Sequence, residues 1–430
     1  MSTDTGGADL LTGLRILSFC HYLQGPAASQ YLADLGADVL KVEPLGGAVE
    51  RRLMGPGRGP DGAGSIFVAA NRNVRSIAID LKQSAGRQVV LDLLDRYDIV
   101  IENYRPGVMD RLGLGYSALR EVNPNVVYAS ASGYGSSGPL AAEPGQDLLV
   151  QGLTGLVASS GERPTPTGAA VADQHGAALL ALGILASVVR RNRTGIGCRV
   201  EGSLFNAGID LQMEALTFYL NRPQRPFAED LDRAGQLATW YHAAPYGVYA
   251  VSDGHITISM DYDSGVVRAF PDLLDGLDGC DPVRDRDAWA TRLAGALLPL
   301  TRDEALERLR SCGVWAGPVL SYEDVERHPQ TKSNGLIRTV GDGSWEARVV
   351  MHPNTYDGEV PPVVRVPPYV GADTEDVLAE LGYASDHVGL LRRDGIVTSP
   401  VRTAEPIRTD APQRTVQPAQ PLAAPAQEGR

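Results

Sequence analysis

The chain has 430 residues with a formal net charge of -13, 43% hydrophobic and 21% charged residues, which describes a globular protein with a sizeable core and room for two domains or one domain with a large insertion. The acidic balance argues against a nucleic-acid-binding surface, and no run of about 18 strongly apolar residues predicts a membrane span. Cys20, Cys198, Cys280 and Cys312 are scattered without a CxxC pair, so neither a zinc site nor a disulfide framework is indicated.

Met1 to Leu10 is polar and acidic and lacks the halves of a secretory signal, so a cytoplasmic protein is expected. Leu14 to Phe19 reads as a strand, Pro26 to Leu35 as a helix with proline in its first turn, and Asp38 to Glu43 as a second strand. This βαβ unit ends on an acidic residue, which invites a dinucleotide-binding reading with Glu43 on a ribose. The loop from Cys20 to Pro26, however, lacks the Gly-x-Gly-x-x-Gly turn that would let a pyrophosphate approach the backbone.

Further strands are predicted at Ser76 to Leu81, Asp98 to Glu102 and Val126 to Ser130, with helices at Ser84 to Arg96 and around Ser117 to Glu121. Strands alternating with helices mean a parallel α/β sheet, whose sites lie beyond the carboxyl ends of the strands. Two loops at such ends stand out, Asn103 to Gly107, which carries Arg105, and the Gly/Ser-rich Ser132 to Pro139.

A loop with Pro164, Pro166 and Gly168 leads into Val171-Ala172-Asp173-Gln174-His175-Gly176. An evenly apolar helix follows, from Ala177 through Val189 to Arg190, Arg191, Arg193 and the stop at Gly195. Its composition predicts burial on most sides. Asp173 therefore falls at or near a helix N-terminus, where free N–H groups and the helix dipole are expected to keep it ionised. An aspartate there is also an ordinary cap.

Asn221 to Pro226 reads as a linker. Beyond it, Gly247 to Val251 and His255 to Ser259 flank Ser252-Asp253-Gly254 as a hairpin, and helices are predicted at Val266 to Leu274, Asp287 to Leu298 and Arg302 to Ser311. Short strands at Leu336 to Val340 and Ala347 to Met351, a Pro/Val run from Pro361 to Pro368, and helices at Thr374 to Leu381 and Asp386 to Arg393 complete the pattern. The resulting division is a large domain over 11–220, a small α+β domain over 226–325, a C-terminal segment over 326–397, and a Pro/Ala/Thr/Gln-rich tail over 398–430 expected to be disordered.

The sequence resembles the class III coenzyme A transferases, the CaiB/BaiF family, which includes formyl-CoA transferases together with the 2-methylacyl-CoA racemases. The resemblance is carried by Leu11 to Leu17, Gly36 to Glu43, Asn73 to Lys82, Glu102 to Gly107, Ser132 to Gly135, Ala243 to Tyr249 and Gly313 to Val319. It implies a Rossmann-like large domain completed by the returning C-terminal segment, a smaller domain between, and an interlocked homodimer. Coenzyme A, as acyl-CoA, would be a substrate with no tightly bound cofactor and no metal, and a carboxylic acid would be the second substrate.

The resemblance places the nucleophile at Asp173 and CoA contacts at Tyr22, Leu23, Arg75, Asn103, Tyr104 and Arg111. The glycine run that closes over the aspartate in some members is missing between Gly235 and Met260. The racemase branch pairs the aspartate with a histidine in a Gly-His-Asp stretch, whereas here Gly145-Gln146-Asp147 sets Gln146 in that place. An amide cannot take a proton from carbon, so Gln146 is assigned to orienting a carboxylate or thioester oxygen. His175 as a substitute base is disfavoured because neighbours two apart on a helix diverge, and Asp147 reads as a cap. Transferase is the expected activity, with racemase or isomerase and a non-catalytic acyl-CoA-binding protein as alternatives.

Overall fold

A computed structural model describes residues 9–53, 57, 59–160, 163–221, 235–259, 264–274 and 280–400. Of the linker expected at 221–226 only Asn221 lies within them, as the last residue of a helix, and of the tail expected over 398–430 only 398–400, with Thr398 in a strand.

In chain order the first half comprises β1 (Arg15–Phe19), α1 (Gln24–Asp34), β2 (Asp38–Glu43), α2 (Ser65–Ala70), β3 (Val74–Ile79), α3 (Ser84–Leu93), β4 (Ile99–Glu102), α4 (Val108–Arg111), α5 (Tyr116–Val122) and β5 (Val127–Ser132). It continues with α6 (Asp147–Leu153), α7 (Val171–Thr194), β6 (Arg199–Ser203), α8 (Leu204–Asp210) and α9 (Met213–Asn221). The second half has β7 (Gly247–Val251), β8 (Gly254–Ile258), α10 (Ser264–Ala269), α11 (Arg286–Leu297), α12 (Arg302–Ser311) and β9 (Ala316–Pro318). After these come α13 (Tyr322–Arg327), α14 (Pro329–Ser333), β10 (Ile337–Gly341), β11 (Glu346–Val350), α15 (Thr374–Glu380), α16 (Ser385–Arg393) and β12 (Val397–Thr398).

The main sheet has the order β12-β3-β2-β1-β4-β5-β6, with β1 to β6 parallel and β12 antiparallel at the edge. This is the doubly wound Rossmann arrangement, and its order reverses between β1 and β4. Alternate residues of each strand serve opposite faces. Leu17, Leu40, Ile77 and Val100 pack with α3, α5, α15 and α16, while Ile16, Val39, Val74, Ile99 and Val127 pack with α1 and α7. A separate three-stranded antiparallel sheet, β7-β8-β9, has its own core of Tyr249, Ile256, Trp289, Leu293 and Leu309.

Strand β6 was not legible because its sequence, Arg-Val-Glu-Gly-Ser, is polar and short, yet it pairs along its whole length with β5. Helix α7 also departs from expectation. It buries a single face, Ala172, Gly176, Ala177, Leu180, Ala181, Ile184 and Val188, against α1, α8 and the sheet. Leu182 and Val189 on the other side are 63% and 66% exposed. An even apolar pattern does not reveal whether one or both faces are covered.

The C-terminal segment is fastened to the start of β3 by two adjacent residues. Arg72 is buried and donates from Nε and Nη2 to the Asp34 carboxylate (3.0 and 2.6 Å) and from Nη1 to the Val350 carbonyl (2.8 Å). The Asn73 side chain donates to Asp34 and accepts from the N–H groups of Val364 and Arg365 (2.8 and 2.9 Å). Asp34 also sits at the end of α1, so this ion pair ties a helix, a strand and the C-terminal segment together. Asp34→Ala strands a guanidinium in the interior and is expected to cost about 3–5 kcal/mol, measured by urea denaturation at neutral pH.

Candidate active site

Asp173 occupies the third position of α7, whose N-cap is Ala170, a residue with no side-chain acceptor. The acceptor comes instead from α6. Asp147 Oδ1 receives the N–H groups of Ala172 (2.7 Å) and Asp173 (3.1 Å), and Gln151 donates to its other oxygen. Helix α6 can reach this place because Gly145 and Gly133 pass backbone against backbone. A Cβ on Gly145 would lie 2.3 Å from the Cα of Gly133, so the α6 start is pressed onto the loop after β5.

The consequence for Asp173 runs against the expectation of a dipole-stabilised carboxylate. Two first-turn N–H groups of its own helix are spent on Asp147, and Asp147 is a like charge beside it. Burial first, then Asp147, push the Asp173 carboxyl up to about 7, opposed by one hydrogen bond from the backbone N–H of Gln24. Gln24 is the first residue of α1, so that N–H is one the helix leaves unpaired.

The loops around this pair meet where the sheet order reverses. His21 and Asn103 clasp each other, the His21 N–H donating to Asn103 Oδ1 and Asn103 Nδ2 to the His21 carbonyl, both at 2.7 Å. The His21 ring stands edge-on to Tyr104 at 4.9 Å. Burial and the neighbouring Lys41 lower His21 to about 4, so its imidazole is neutral at physiological pH. Tyr22 is exposed in a left-handed conformation (φ 62°), and Leu23 is the N-cap of α1. These four, Tyr22, Leu23, Asn103 and Tyr104, are therefore brought together.

Arg111 is exposed at the end of α4, with Nη1 3.3 Å from where a Cβ on Gly107 would lie. Gln146 is the exposed N-cap of α6, adjacent in sequence to Asp147, and makes no capping bond. Arg75 is not brought to this group. It is the second residue of β3, at the amino end of the sheet, where Glu380 (2.7 Å), Asp38 (3.5 Å) and Asp373 (3.9 Å) surround its guanidinium. His175 pairs with Asp210 of α8 at 2.7 Å, on another side of α7. Glu43 is committed to Arg51, Ser76 and the Ala48 N–H, which removes it as a ribose ligand.

Two cavities adjoin the site. One, of about 740 Å³, lies beside Gln174 between α1, α2 and β11 and is lined by Ala27, Tyr31, Val68, Val349 and Met351. The other, of about 300 Å³, is polar and lies along β5 and β6 beside the end of β4, lined by Glu102, Tyr104, Arg105, Ser132, Arg199 and Glu201. The loops after β4 and β5 converge on it, as the sequence indicated. Burial pushes Glu102 up to about 7 there. Gln24 and Glu102 were passed over in the sequence. The signal for each was its position, at the head of the helix after β1 or at the last residue of β4, on the edge where such sheets place their sites.

Fold and site together define a doubly wound α/β protein with a partly buried carboxylate of raised pKa beyond the carboxyl ends of its parallel strands. The sequence model of CoA-transferase family III matches residues 11–374, and the chain belongs to that family. It is 32% identical over 412 residues to an acyl-CoA transferase of Fusarium pseudograminearum, covering 90% of this chain and 88% of that one. It is 31% identical over 343 residues to the acetyl-CoA:oxalate CoA-transferase of Acetobacter aceti, covering 76% and 86%. A crystal structure of a CAIB/BAIF family protein from Brucella suis superposes with a TM-score of 0.74 at 29% identity, covering 87% of this chain and 99% of that chain.

The like-charge pair can be tested directly. With 13C-labelled aspartate, Asp173 is expected to titrate near pH 7, and Asp147→Asn, which keeps the cap oxygen and removes the charge, to shift that midpoint to lower pH. An unchanged midpoint in the variant would show that Asp147 does not act on Asp173 electrostatically.

Proposed function

We propose that the protein is a CoA-transferase that moves coenzyme A from an acyl-CoA donor to a carboxylic acid through a covalent thioester on Asp173. The observation that carries this reading is the placement of Asp173, half-buried at the start of α7, with a helix N-terminal N–H from Gln24 on its carboxylate.

The ionised Asp173 attacks the donor thioester carbonyl, forming a mixed anhydride and expelling the CoA thiolate. The thiolate adds to the aspartyl carbonyl, a C–S bond forms, and the donor acid leaves as its carboxylate. The acceptor carboxylate then attacks the aspartyl thioester, giving a second anhydride and releasing the thiolate again. Attack of the thiolate on the acceptor carbonyl makes the new acyl-CoA and restores Asp173. No proton is gained or lost over the cycle, and neither metal nor redox cofactor takes part.

The loop cluster of Tyr22, Leu23, Asn103 and Tyr104, with Arg111 nearby, is the proposed binding surface for coenzyme A, and Gln146 is proposed to orient an acyl oxygen. Apolar side chains exposed on α6, α7 and α9, including Leu148, Leu153, Leu182, Val189, Met213 and Leu220, support a homodimer that covers them. A cytoplasmic location accompanies this reading. His175, held by Asp210, lends no support to α-proton transfer.

Incubation with a panel of acyl-CoAs followed by hydroxylamine or borohydride trapping is expected to yield an adduct mapped to Asp173, absent from Asp173→Ala. α-Proton exchange in deuterated water without any adduct would instead establish racemase or isomerase chemistry.

A further inference from the structure

Gln24 contributes more than its backbone. Its side chain is only 4% exposed, and its Nε2 is a buried donor with no hydrogen-bond partner. Native interiors rarely leave such a group unpaired, so its retention calls for an acceptor that forms only during the reaction. The amide lies against Gly176, where a Cβ would come within 2.5 Å of Nε2 and 3.4 Å of the Ala207 Cβ. Gly176 is three residues beyond Asp173 and therefore on the same face of α7, about one helical turn (~5 Å) along it. One residue thus places a backbone N–H on the Asp173 carboxylate and an unpartnered side-chain N–H one turn away.

Resting on the covalent reading above, we infer that the Gln24 side chain is a catalytic residue, the second donor to the oxygen of the Asp173 carbonyl whenever that carbon is attacked. Two of the four steps occur at this carbon. When the CoA thiolate adds to the aspartyl carbonyl of the first anhydride, a C–S bond forms and negative charge develops on the carbonyl oxygen; collapse then expels the donor carboxylate. When the acceptor carboxylate adds to the aspartyl thioester, the same oxygen takes the charge and the C–S bond breaks. In both, the backbone N–H of Gln24 already addresses the group, and rotation of the side chain brings Nε2 onto the developing oxyanion. Gly176 leaves the space from which the amide moves. The attacks at the donor and acceptor carbonyls need no help from Gln24.

Gln24→Met keeps the shape and removes the donor. The expected result is a roughly 10²-fold slower appearance of the Asp173-CoA thioester in rapid-quench mass spectrometry. KM for acyl-CoA should change less than twofold and the melting temperature should not fall, since an unpaired buried amide has been replaced by an apolar group. Gly176→Ala, which displaces the amide but leaves the Gln24 backbone, is expected to slow the same step, and to add little further in the Gln24→Met background. Thioester formation at the wild-type rate in Gln24→Met would overturn the assignment while leaving the covalent reading intact. A slower step accompanied by a lower melting temperature and a raised KM would assign Gln24 a structural role instead. No thioester in the wild-type protein with any acyl-CoA would sink the covalent reading and this inference with it.

Discussion

The site depends on helices whose N-termini are capped by carboxylates belonging to other helices. α7 begins at a residue that cannot cap it, and Asp147 of α6 supplies the acceptor. α1 likewise begins without a side-chain cap, and the backbone N–H of its first residue, Gln24, favours the ionised form of Asp173 of α7. Two helix starts thus face a carboxylate from another helix, where an isolated helix would seek an acceptor from its own preceding residue. Had position 170 been serine or aspartate, the first turn of α7 could have been satisfied locally, and α6 would have had no polar reason to stand where it does.

The arrangement also decides the electrostatics. Two carboxylates compete for the positive ends of two helices. Asp147 holds two N–H groups, while Asp173 holds one and sits beside the charge of Asp147. Burial and the neighbouring Asp147 together push the Asp173 carboxyl up to about 7, out of the ordinary carboxylate range. A carboxylate only weakly stabilised in its resting state is a better nucleophile than one buried in hydrogen bonds, because less solvation must be surrendered when a lone pair is committed to carbon.

The parallel sheet was legible because β1 to β4 are short apolar runs separated by helical periods, and most predicted bounds fall within two or three residues of those observed. Asp173 was legible as a carboxylate at the head of a long helix. Its protonation behaviour was not, because the group that sets it, Asp147, is 26 residues away in sequence and arrives only through the contact of Gly133 with Gly145. Arg75 shows the opposite failure. The resemblance placed Arg75 among the CoA contacts, but its position at the amino end of β3 gives it to Asp38 and Glu380. Strand ends can be read from a sequence more readily than the partners that claim a side chain there. β6 escaped for a related reason, since its identity as a strand comes from β5 alongside it.

The edge of the sheet has a bearing on how the chain comes into being. β3 is paired on its outer side by β12, and the turn before it is held by residues near 364, so an element made early is completed by one made some 300 residues later. During vectorial synthesis the β3 edge emerges long before its partners, with unpaired backbone groups open to other strands in the interval. The polar knot of Asp34, Arg72 and Asn73 presents directional donors and acceptors at the margin of that edge, and the long-delayed closure makes the last third of the chain the part on which the integrity of the first depends.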